Sequence, residues 1–256
     1  MSENNISFRM ITMKLIICLF ALTMLPTDSF SVDFSINPVR IFFDSSKKTD
    51  VVTIKNESQG KVALQLSSVA WTQDEKEDNV YSSTDDILFF PKLLELAPEE
   101  EKIVRIGIKV PHEEAEKTYR LFFEEIPDNS QTDTTAVKII MKVGVPIFIS
   151  PLKANASGVI HTFDMTGSAL SVGIRNEGNI HFIIKSMQIA GKDVSGKELY
   201  TAERAGGYLH HGKSKSFTFD IPQDMCRGIK TLSLHIETDR FEMGKQIDIV
   251  REMCGT

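Results

Sequence analysis

The sequence predicts an all-β chain of two β-sandwich domains joined by a short linker, in an elbowed, boomerang-like arrangement. Three observations predict it. Almost every apolar stretch after Val32 alternates apolar with polar residues over five to ten positions, which is the period of a half-buried strand. Turn-forming clusters such as Asn56–Gly60, Pro127–Ser130 and Asn176–Asn179 separate those stretches, and short strands at such spacing build sandwiches rather than a parallel α/β sheet. The chain has 256 residues, long for one sandwich and comfortable for two, because domains cluster near ~100–150 residues.

The first element is not a strand. Met13-Lys14 opens an apolar run, Leu15–Leu25, which Pro26 ends, and Ser29 and Ser31 supply small residues at the −3 and −1 positions of a secretory cleavage site. The run is eleven residues long, too short for the ~20 residues of a helix that crosses a hydrocarbon core. Residues 1–31 are therefore expected to be a Sec signal peptide region, cleaved after Ser31. The polar Met1–Ile11 stretch is unusual before such a run and makes Met10 or Met13 a candidate start.

The first domain, 32–150, then runs through alternating strands at Val51–Lys55, Ala63–Trp71, Ile103–Val110 and Tyr119–Phe123. Only the charge-rich stretches Asp74–Asp86 and Pro111–Lys117 read as non-strand. A boundary falls at Ser150-Pro151, where Leu152–Gly158 reads as linker and restart. The second domain, 151–256, continues with Leu170–Arg175, Ser216–Ile221, Thr231–Thr238 and Lys245–Arg251. About seven strands precede the boundary and six or seven follow it, an immunoglobulin-like number on each side. So short a connection makes a fixed elbow.

Cleavage would remove Cys18 and leave Cys226 and Cys254. An even count in an exported chain suggests a disulfide. A hairpin between Thr231–Thr238 and Lys245–Arg251 puts the two cysteines opposite each other at its open end. Two free buried thiols are the alternative.

The most informative stretch is Val137–Ile149. Its odd positions are all apolar, namely Val137, Ile139, Met141, Val143, Val145, Ile147 and Ile149, and on a strand they share one face. Thirteen residues exceed the ordinary strand length of ~5–6. An edge that long and apolar invites pairing with another chain, which reads as β-augmentation of a partner. A central core strand is the plain alternative; Pro146 argues against it, because proline cannot donate to a ladder and belongs at an edge or bulge.

Several segments resemble the PapD-like periplasmic chaperones of the chaperone–usher pathway. They are Ile36–Asp44, Phe90-Pro91 with Leu96–Pro98 and Val104–Ile106, Tyr119–Pro127, Gly144–Ile149, then Asn176–Phe182 and Gly207–Leu209. Their order spans nearly all of the expected mature chain and is closest to the archaic or alternative branch. The resemblance implies a periplasmic chaperone that lends its last first-domain strand to pilin or fimbrial subunits, caps them and delivers them to an outer-membrane usher. It also implies cations in the interdomain cleft that grip the subunit's terminal carboxylate. Arg40 stands where the first-strand arginine is expected. The lysine of the best-known branch falls on Pro146, so Lys142 or Arg120 must serve. Glu125 resembles the family's interdomain salt-bridge glutamate. Whether the free protein caps its own strand as a homodimer stays open.

Other function classes find little support. A net charge of −6 argues against nucleic acid as the partner, since such binders carry a clustered basic face. His210-His211 cannot jointly chelate a metal from a strand, where neighbours point to opposite faces. No nucleophile elbow, phosphate loop or His-Glu-x-x-His is present, and Asp85-Asp86 and Glu99–Glu101 lie in polar loops. No enzyme activity, cofactor or metal is expected. The competing hypothesis is a structural or adhesive protein with tandem immunoglobulin-like domains in a surface fibre.

Overall fold

The computed structural model describes residues 34–127 and 139–255. The expected signal peptide, Cys18 and Val137 lie outside these. Ten strands precede the linker: β1 (Phe34–Asn37), β2 (Ile41–Phe43), β3 (Thr49–Asn56), β4 (Val62–Gln73), β5 (Asn79–Ser83), β6 (Ile87–Phe90), β7 (Leu93–Leu96), β8 (Glu101–Ile108), β9 (Lys117–Glu125) and β10 (Lys142–Ile149). One sheet has the order β1-β3-β8-β6, and the other β2-β10-β9-β4-β5 with β7 also on β4. The expected first strand is split at Pro38, so that β1 joins one sheet and β2 runs parallel to β10 in the other. One segment thereby ties both layers together. Their inward residues, among them Ile41, Phe43, Ile54, Leu64, Leu121 and Phe123, form a closed core.

The second sandwich holds β11 (Gly158–Thr166), β12 (Ala169–Asn176), β13 (Phe182–Lys192), β14 (Glu198–Arg204), β15 (Gly207–Leu209), β16 (Ser214–Asp220), the short helix α1 (Gln223–Cys226), β17 (Thr231–Thr238) and β18 (Glu242–Asp248). Its sheets run β11-β12-β16 and β14-β13-β17-β18, with β15 also on β13. Phe163, Leu170, Ile174, Phe182, Leu234 and Ile236 fill its core. The β17–β18 hairpin pairs Thr231 with Asp248 at its open end. Just beyond, α1 and a 3₁₀ turn (Arg251–Cys254) bring Cys226 and Cys254 into a disulfide.

Each sandwich fixes a turn with one buried asparagine. Asn56 donates to the carbonyls of Gly60 and Ala97 at 2.8 and 2.9 Å, and Asn176 to those of Ile180 and Leu209 at 2.8 and 3.0 Å. Interior carbonyls need such partners. The turn clusters seen in the sequence are therefore built structures.

The Asp74–Asp86 stretch corrects the sequence reading. It contains β5, whose five residues are all exposed and pair with Val69–Gln73 of β4. A strand with no buried face needs no apolar alternation, so periodicity could not reveal it.

Partner-binding face and interdomain cleft

Along β10 the alternating row divides in two. All of it pairs with β9, from Lys142 opposite Glu124 to Ile149 opposite Lys117. Only Ile147–Ile149 gain a second neighbour, Ile41–Phe43 of β2. From Lys142 to Pro146 the other edge carries no strand among the described residues, and Pro146, lacking an N–H, stands where that second pairing begins.

Burial follows the same division. Val145, Ile147 and Ile149 are closed into the first core, at 2%, 0% and 1% exposure. These three members of the expected donor row are thereby occupied by the chain's own core and cannot fill a partner's groove. Met141 and Val143 are partly buried against that core, and Ile139 is 72% exposed. The regular strand covers eight residues, Lys142–Ile149, fewer than the thirteen expected.

The opposite face of the same sheet meets the second sandwich. Trp71 and Phe148 are fully buried although neither belongs to the first core. His181 stacks on Phe148 at 3.7 Å between ring centroids, and the Trp71 ring meets Tyr208 and His210 edge-on at 5.2 and 4.2 Å. Polar groups close the joint. Gln73 donates Nε2–H to the Tyr208 carbonyl and accepts the His210 N–H at Oε1, both at 3.0 Å. One oxygen of Glu116 accepts the His181 N–H at 2.9 Å and its Nδ1–H at 2.6 Å. Asn179 donates Nδ2–H to the Glu114 carbonyl at 2.7 Å. Burial, with smaller contributions from the neighbouring His181 and Arg120, pushes the His210 pKa down to about 3, so its ring stays neutral.

Two arginines frame this joint. Arg40 is exposed, its guanidinium 5.9 Å from the centre of the Tyr208 ring. Arg120 lies over Trp71 at 4.1 Å and 5.9 Å from the Tyr81 ring. Neither forms an ion pair among the described residues, and the Arg120 Nε is buried without a hydrogen-bond partner. Lys142 is differently placed. It pairs with Glu124 at 2.7 Å, both half-exposed, over the Phe122 ring.

Residues 33–155 match the model of the pili and flagellar-assembly chaperone family, PapD N-terminal domain. Over 190 residues the chain is 25% identical to the "Probable fimbrial chaperone EcpB" of Escherichia coli, covering 72% of this chain and 80% of that one. Among solved structures it resembles the CsuC–CsuE chaperone–tip adhesion subunit pre-assembly complex from archaic chaperone–usher Csu pili of Acinetobacter baumannii, with TM-score 0.56 and 16% identity over 84% of this chain and 98% of that one. It also resembles the Salmonella enterica SafA pilin–SafB chaperone complex, at TM-score 0.51 and 16% identity over 88% of this chain and 99% of that one. These two likenesses are of fold.

The register of β9 and β10 bears on the choice of cation. Pro146 is directly opposite Arg120, and cross-strand partners project from the same face. Arg120 thus stands beside the position at which the resemblance led one to expect a lysine. Glu125 requires correction. Its carboxylate accepts the Met141 N–H at 3.4 Å, and it sits at the far end of β9 from Lys117, roughly 26 Å away at the usual rise. Among the described residues two carboxylates span the domains: Glu116, paired with His181, and Glu77, whose Oε1 accepts the Ser216 N–H at 2.6 Å. Sequence reading missed Glu116, His181 and Gln73: Glu116 lies in the charged stretch read as non-strand, His181 follows a turn cluster just before β13, and Gln73 ends β4.

Proposed function

We propose that the protein is a periplasmic chaperone that caps pilin-type subunits by lending them the exposed part of the segment leading into β10, then hands them to an outer-membrane usher. The carrying observation is the division of β10. Its buried half anchors the segment in the first core, while Ile139 is exposed and the edge up to Pro146 carries no strand among the described residues. Main-chain hydrogen bonds along that edge supply affinity, and alternate side chains supply selectivity. Each isoleucine-sized residue transferred from water into a groove contributes ~1.5–3 kcal/mol. Val137, Ile139 and Met141, with Val143 at the margin, form the donor row in this reading. Arg120 and Arg40 grip the subunit's terminal carboxylate across the aromatic joint, and Lys142 is the weaker candidate because Glu124 already engages it.

Co-expression with a pilin subunit from the same operon tests the reading. Ile139→Asp combined with Met141→Asp should abolish co-purification while leaving the melting temperature within a few degrees of wild type. Full recovery of the complex by the double variant would sink donor-strand capture. Arg120→Ala should weaken capture by roughly ten- to a hundredfold, the loss of one charge-assisted bond.

A further inference from the structure

We infer that Arg120 is held ready for its anion by a cradle of Trp71, Tyr81 and Gly144, so that the interdomain joint itself positions the anchor; this rests on the anchor reading above. Trp71 on β4 and Tyr81 on β5 are register partners, and Arg120 on β9 pairs with Val69, two residues from Trp71. The guanidinium therefore has an aromatic ring below and another beside it, at 4.1 and 5.9 Å. Gly144 supplies the room. A Cβ there would come within 2.7 Å of the Phe122 ring and 3.3 Å of the Arg120 Nη1. Phe122 in turn is packed edge-on against Tyr81 at 5.5 Å. Any side chain at position 144 would press on both the ring and the cation.

Two features mark this arginine as waiting rather than structural. Buried arginine nitrogens are normally paired, yet its Nε is buried with no partner. The aromatic faces compensate a cation's lost hydration only in part. A stacked planar guanidinium also keeps its orientation, which suits a two-oxygen anion such as a carboxylate; a lysine in its place would have no plane to stack. The floor of the cradle belongs to the joint. Trp71 is 1% exposed; its indole N–H donates to Asn79 Oδ1 of β5 at 2.8 Å, and its ring packs edge-on against Tyr208 and His210 of the second sandwich. The second sandwich thus covers the indole that the first one orients, and a shift of it would uncover the floor of the cradle. Trp71, Tyr81 and Gly144 are thus positioning residues.

Arginine-selective ¹⁵N NMR reads this directly. The probes are N-acetyl-alanyl-alanine as the free acid and as its amide, at millimolar concentrations. In the wild type the Arg120 Hε signal should lie upfield through ring currents; the acid should move it saturably and the amide should not. Tyr81→Ala and Gly144→Ala should each return the signal toward its ordinary position and weaken acid binding by roughly fivefold. Tyr81 is half-exposed, so its removal leaves the core intact, and the fold is checked in the same spectra. Trp71→Phe should keep part of both effects. If Arg120→Gln bound the acid as tightly as wild type, the anchor reading itself would fail. If Arg120→Gln abolished binding while Tyr81→Ala and Gly144→Ala kept the wild-type shift and affinity, the cradle alone would be wrong.

Discussion

Ile139 and Ile147 belong to one alternating row and lie eight residues apart, yet they live in different surroundings. Ile147 has a strand on either side, Tyr119 of β9 and Ile41 of β2, and no exposure at all. Ile139 is 72% exposed, on the segment before β10 begins. Alternation fixes which side chains share a face, because the pleat has period two. It does not say what covers that face. The number of flanking strands decides that, and it changes at Pro146.

The same charge placed at both positions should separate them most widely. Ile147→Asp buries a carboxylate in a closed apolar core, with a loss on the order of 4 kcal/mol or more, enough to unfold the first sandwich. Ile139→Asp should change stability by less than ~0.5 kcal/mol, as surface substitutions do. Urea melts followed by Trp71 fluorescence separate the two. Equal destabilisation would mean that the two halves are one structural unit, and the free half could not serve a partner.

Acid tests the other face of the buried half, where Phe148 covers the joint. The groups around His210 are the Thr118 hydroxyl, the Trp71 ring, His181, Arg120, Lys213 and Lys215. Its folded-state pKa is about 3 against 6.5 for the free side chain. Between those values the unfolded chain takes up a proton that the folded chain refuses. Stability is therefore full above the unfolded value and falls as the pH drops toward 3, by at most ~1.4 kcal/mol per pH unit. His210→Gln should remove that part of the slope, and scanning melts from pH 7 to 5 would show it as a difference on the order of 1–2 kcal/mol. Parallel profiles for the two proteins would mean that His210 is hydrated and the joint looser than its geometry.

What the sequence made legible follows from the same physics. The sandwiches, the Cys226–Cys254 disulfide and the turn clusters came through because each writes a local signal: alternation, an even cysteine pair, or glycine and asparagine in the turns. Strand β5 was hidden because all its residues face water. The interdomain residues were hidden for a different reason. Glu116 and His181 are 65 residues apart, and a carboxylate that spans two domains looks, in one dimension, like any acidic residue of a loop. Glu125 was taken for it through resemblance, and only the register of β9 shows that it faces the wrong end.

Lys142 belongs to the exposed half, and its removal should cost little. Its ammonium meets Glu124 at 2.7 Å with both side chains about half-exposed, and such pairs contribute ~0.5 kcal/mol or less once side-chain entropy and screening are counted. Lys142→Ala should therefore leave the melting curve nearly unchanged. Were Lys142 the carboxylate anchor, its removal would cut subunit capture as deeply as Arg120→Ala does. With Arg120 in that role, capture by Lys142→Ala should stay within about twofold of wild type, the range of a single exposed pair. The two variants differ in one further respect. Adding 0.5 M salt should erase what little Lys142 contributes, because exposed pairs are screened over a Debye length of a few ångströms, whereas the partly buried Arg120 keeps most of its effect. A deep, salt-sensitive loss in Lys142→Ala would move the anchor along the same face of the sheet, from Arg120 to the exposed end of β10.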